Sequence, residues 1–142
     1  MNSGSSPADL LGAASLLLAA LAVLYSVWYS TIEAAKELLL PKHRGDATQP
    51  LEYVETVLHG RAYPLALASG LSTLVFGPEA INIVITTSES FDHHGLGAFG
   101  FYDPIEAALL LVTIGLFVLT IHVLRLCAAL RKKLDDGAKL PP

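Results

Sequence analysis

The stretch from Tyr63 to Thr87, YPLALASGLSTLVFGPEAINIVITT, constrains this chain more than any other. At about 1.5 Å of rise per residue, a helix of that length crosses the roughly 30 Å hydrocarbon core of a bilayer. Yet Gly77, Pro78, Glu79 and Asn82 interrupt it at membrane depth. A carboxylate there is costly, and its default reading is functional. Proline lacks an N–H and clashes with the preceding turn, so the sequence predicts a kink or a break near Gly77-Pro78.

Two further apolar runs, Leu10 to Tyr29 and Ala107 to Leu124, have similar length. Hydrophobic residues make up 53% of the 142 and charged residues only 15%. About 25% charged would be usual for a soluble domain. Mean hydropathy is +0.54. The expected fold is therefore all-α and integral to a membrane, with three transmembrane helices in one domain. The spans fall at about 8-31, 62-87 and 104-126, with loops at 41-61 and 88-103 and a basic tail at 127-142. The N-terminus has no positive n-region, so the first span is expected to stay in the mature protein. Cys127 is the lone cysteine, which leaves no disulfide framework and no cysteine-based metal site. No basic patch with interleaved aromatics suggests nucleic acid.

The helix starts are signalled twice. Ser6-Pro7 with Asp9, and Asp103-Pro104 with Glu106, both read as an N-cap, a first-turn proline and an acidic third position. Tyr25, Trp28 and Tyr29 form an interfacial aromatic belt at the far end of span one. The helix is expected to extend beyond the membrane as far as Leu38, with Pro41 stopping it. Ala8, Gly12, Ser15, Ala19, Ala22, Ser26 and Ser30 place small residues on one face of that span. Ala66, Gly70, Thr73 and Gly77 do the same in span two. Such faces pack closely, against each other or against partner subunits. Leu51 to Leu58 can form a short surface helix, Ser88 to Asp103 reads as an irregular surface segment, and the charged tail is expected to end in disorder.

Every Lys and Arg lies on one side of this map. Lys36, Lys42, Arg44 and Arg61 flank the first loop, and Arg125, Arg131, Lys132, Lys133 and Lys139 follow span three. The positive-inside rule puts the first loop and the C-terminus in the cytoplasm and the N-terminus and second loop outside.

Glu79 is the leading functional candidate, as a proton or ion relay or the partner of a cation on another helix. Its structural alternative is the positive end of a new helix opened by Pro78. Glu106 has a competing role in the capping box. His59 and His122 would have to face one another to hold a haem. Asp92, His93 and His94 lack a third metal ligand at helical spacing, so a solvated loop is the plainer reading. No phosphate-binding glycine loop or nucleophile elbow is present.

The arrangement resembles the small A subunit (NuoA) of respiratory complex I, the proton-pumping NADH:quinone oxidoreductase. That family has three spans in the same orientation. LLLPKHRGDATQPLE resembles its basic stretch leading to a Pro-Tyr-Glu-Cys/Ser-Gly motif; Pro50 and Glu52 fit, while Tyr53 and Val54 depart. Arg61-Ala62-Tyr63 is similar to the opening of the second span. Phe76-Gly77-Pro78-Glu79 resembles Phe-Asp-Val-Glu, with Gly77 and Pro78 departing. Ile105-Glu106-Ala107-Ala108 resembles the opening of the third span. The resemblance implies that Glu79 and Glu106 join a buried acidic chain of the proton pathway and that Pro50 and Glu52 border the quinone cavity. It implies a non-catalytic subunit that binds no cofactor itself, beside other membrane subunits and a quinone. The setting would be the bacterial cytoplasmic membrane or an equivalent energy-transducing membrane. The rival readings are a homo-oligomeric ion channel or holin-like pore with an intramembrane Glu79, and a haem-bearing membrane anchor.

Overall fold

A computed structural model of the chain describes residues 7–41, 44–94 and 103–140. The described residues are helical almost throughout. Helix α1 spans Pro7–Glu37, α2 Arg44–Val57, α3 Tyr63–His94 and α4 Pro104–Ala138. Three of the helical stretches are long and apolar enough to cross a membrane. This is an all-α protein with the build of a three-span integral membrane protein.

The first loop is not a loop. Residues 38–41 have no regular structure, and α2 starts at Arg44 and runs through a π-helical turn, Leu58–Ala62, directly into α3. The expected short helix at Leu51 is thus the middle of a longer one. At the turn the Tyr63 N–H donates to the Leu58 carbonyl, one residue further back than in an α-helix. Pro64 supplies the cause. It has no N–H for the Gly60 carbonyl and its ring crowds that group, so the helix widens by one residue.

The break expected near Gly77-Pro78 does not occur there. The helix continues through both residues to His94. The expected span end at about 87 and the irregular segment from Ser88 are corrected to that extent; residues 95–102, with the rest of that loop, lie outside the described residues, as does Ser6. Asp103 does cap α4, its Oδ1 accepting from the Ile105 N–H at 2.8 Å. The charged tail is helical as far as Ala138, and its last two residues lie outside the described part.

Two registers define the bundle. Helices α1 and α4 run parallel and in step: Leu18 covers Gly115, Tyr25 meets His122, and the Lys36 carbonyl meets Lys133, each pair 97 positions apart. Helices α3 and α4 run antiparallel, with the Thr73 and Thr120 hydroxyls 3.1 Å apart and Gly70 against Thr120.

The core is apolar along its whole length, with Leu21, Leu65, Phe76, Leu109, Leu116 and Val123 buried within the spans. Within the spans the contacts between helices include Ala14, Ala66, Ser69, Ser72 and Thr113, all buried. The three hydroxyls bond carbonyls of their own helix: Ser69 to Ala66, Ser72 to Ala68 and Thr113 to Leu109. At the basic end the core is aliphatic. Ile32, Val54, Leu58 and Leu130 are fully buried there, with Leu126 and Cys127 beside them. Lipid tails are as apolar as leucine, so association inside a bilayer depends on close packing and hydrogen bonds. Outside it, water makes each fully buried Leu or Ile worth about 1.5–3 kcal/mol.

Candidate functional site

The Thr73–Thr120 pair fixes the depth of Glu79. Six residues further along α3, Glu79 stands level with Ile114 of α4, about 15 Å from the Pro104 end. That is half of the roughly 30 Å hydrocarbon core. The side chain is exposed on the outside of the bundle.

Successive residues of α3 turn about 100° around the axis. Val75, Glu79, Asn82 and Thr86 therefore share one strip, and all four are exposed. Leu67, Leu74, Ile81 and Ile85 form a neighbouring exposed strip that is wholly apolar. Phe76, Ile83 and Ser69 face inward. The outer surface of α3 thus has one strip suited to lipid tails and one bearing a carboxylate and an amide.

Glu106 is exposed too, in the first turn of α4. By the same register it stands level with residue 87 of α3, about 12 Å along the axis from Glu79. The expectation of a buried acidic chain is therefore not met within this chain: Glu79 and Glu106 are neither buried nor adjacent. The reason is geometric, because small and aliphatic residues fill the inward positions of α3 and α4.

At the basic end, Glu52, Glu55, Thr56 and His59 line an open cavity of about 410 Å³. The Thr56 hydroxyl donates to the Glu52 carbonyl at 2.8 Å, and His59 Nδ1 lies 3.1 Å from the Glu55 carbonyl. The His59 ring meets Tyr63 edge-on at 5.3 Å. Pro50 is half-buried one turn before. His122 meets Tyr25 instead, at 5.7 Å. His59 and His122 are not brought together: by register they stand about 18 Å apart along the bundle. Among the described residues no three His, Cys, Asp or Glu side chains are placed to hold a metal ion. The side chains of Asp92, His93 and His94 lie outside the described part.

Sequence reasoning passed over Glu33. Its Oε1 pairs with Lys36 Nζ at 2.7 Å, while Oε2 is buried without a hydrogen-bond partner. A glutamate one turn beyond Tyr29 of the aromatic belt was the available signal. Sequence reasoning also missed Lys133, whose Nζ donates to the Ala35 carbonyl at 3.2 Å and to the Lys36 carbonyl. It thereby closes the C-terminal end of α1, where unpaired carbonyls carry partial negative charge.

The two small-residue stripes have different fates. Ala66 is buried, Gly70 and Thr73 are half-buried against Thr120 of α4, and Gly77 is half-buried with open space where a Cβ would stand. The α1 stripe, from Ala8 and Gly12 to Ser30, is exposed along its whole length. A Cβ added at Gly12 would meet nothing within 4 Å.

No protein-family model, curated protein or solved structure matches the chain.

Proposed function

We propose that this chain is a non-catalytic membrane subunit of a larger proton-translocating complex, of the NADH:quinone oxidoreductase type that its sequence resembles. Glu79 and Glu106 carry or tune proton movement at its borders with other subunits, since neither lies inside its own bundle. The loop-side helix with Pro50 and Glu52 stands near the quinone cavity of that complex. The chain itself binds no cofactor.

One observation carries the reading: Glu79 lies at mid-membrane depth on the outside of the bundle. A carboxylate facing lipid there is costly, so it belongs against protein or water. The uncovered small-residue face of α1 supports the same view, because such faces let neighbouring helices approach closely.

The same observation favours one alternative, a homo-oligomeric pore with a ring of Glu79 around a water-filled axis. Gentle-detergent purification of the tagged native protein, with sizing and mass spectrometry, separates the two. A large assembly containing iron–sulfur and quinone-reducing subunits is expected. Recovery only as a small self-oligomer would overturn the subunit reading and put the pore first. In the large assembly, Glu79→Gln is expected to lower proton-coupled quinone reduction.

A further inference from the structure

We infer that the Glu79–Asn82 strip of α3 is the docking face for a transmembrane helix of a different chain, and that this helix presents a Lys or Arg at mid-membrane depth. The inference rests on the chain being a subunit among other chains.

The strip is polar where the bilayer is driest, and its neighbour is not. Leu67, Leu74, Ile81 and Ile85 already give α3 a lipid-facing side, so Glu79 and Asn82 do not merely sit where any exposed residue must. Both groups call for partners. An intramembrane carboxylate pairs with a cation or a hydrogen-bond donor, and an amide bonds across helices.

Among the described residues no cation stands where it could meet Glu79. Arg125 lies five residues past Thr120 and so stands about 16 Å from Glu79 along the bundle; Arg61 stands about 27 Å away. The other described Lys and Arg residues lie further toward the basic end. A second copy would insert in the same orientation, with its cations at those same depths. It would set a second Glu79 carboxylate against the first at the same depth, and two like charges repel. Charge complementarity therefore assigns the face to a different chain.

The test uses the full chain in its native membranes. A photo-reactive amino acid replaces Val75, one turn from Glu79 on the same strip, or Leu74 on the apolar strip as control. Mass spectrometry identifies the captured peptides. The expected adduct at Val75 is a transmembrane peptide of another chain with a Lys or Arg within a turn of the link. Leu74 is expected to capture lipid. Glu79→Gln should lower the Val75 adduct roughly tenfold, the effect of losing an intramembrane pair. Glu79→Lys should abolish the adduct, and reversing the partner's cation to Glu should restore it. Capture of this same chain at Val75, of lipid alone, or of a peptide without a nearby cation overturns the inference.

The two proposals fail separately. A cationic partner outside any quinone-reducing assembly would remove the complex I reading and keep this one. A quinone-reducing assembly in which Val75 meets only lipid would do the reverse.

Discussion

At single residues the bundle is held by a few polar contacts whose value differs with their surroundings. The Thr73–Thr120 hydroxyl pair joins α3 to α4 within the membrane. Such pairs average about 0.6 kcal/mol, because the unfolded chain in the membrane finds substitutes. Thr73→Val is expected to cost no more than about that much in a denaturing-detergent titration. Lys133 works in a different medium, at the watery end. Hydrogen bonds from charged groups there are worth about 1.5–3 kcal/mol. Lys133→Met should free the end of α1, read as faster hydrogen exchange over residues 31–38 and new protease cutting near Pro41. Unchanged exchange there would remove Lys133 from that role. Neither contact was legible in the sequence. A threonine in a span shows only that a hydroxyl is present, and which carbonyls a lysine reaches depends on a register that emerges once the helices are laid side by side.

At the level of elements, the three apolar runs were legible because length and hydropathy suffice to identify them. What lies between them was not. Residues 44–57 are polar on average, and their helix is stabilised by Val54, Val57 and Leu58 meeting α4. Leu126, Cys127 and Leu130 belong to the same core, in or beside a stretch whose charges marked it as a tail. The prolines misled for a related reason. Pro78 looked like the breaker, whereas the helix departs from α geometry just before Pro64. The widened turn adds one residue and so sets the angle between α2 and α3. Deleting Gly60 together with Pro64→Ala should restore an α-helix with both faces still aligned, and leave stability in detergent unchanged. Deleting one residue at Leu71 instead rotates everything beyond it by about 100° and should abolish folding. Thermal unfolding of the two variants would check this. Leu130→Ala, in the aliphatic core at the basic end, should cost about 2–5 kcal/mol, while Leu111→Ala on the exposed face should be nearly silent.

For the whole molecule, the decisive quantity is length. Helix α4 has 35 residues and is therefore about 52 Å long, against a hydrocarbon core of about 30 Å. The surplus, about 20 Å, lies at the basic end, where α2 packs on α4 and α1. The positive-inside rule leads us to expect that end in the cytoplasm. In a Cys127→Ala background, a cysteine at Asp135 should label with an impermeant maleimide only from the cytoplasmic side, and one at Asp103 only from outside. The opposite pattern would invert the orientation. The candidate site was half legible at this scale. Glu79 stood out as a charge in a span, but its outward direction could not be read, because a carboxylate in an apolar run has the same spelling whether it faces a core or a neighbour.

The matched stepping of α1 and α4 has a mechanical meaning. Sliding one helix past the other by a turn would break the Leu18–Gly115, Tyr25–His122 and Lys36–Lys133 contacts together, at three heights at once. Shear between these two rods is thus opposed along most of their length. A push on the basic end therefore cannot be absorbed as slippage between them. It reaches the middle of the membrane as a tilt of the two helices together.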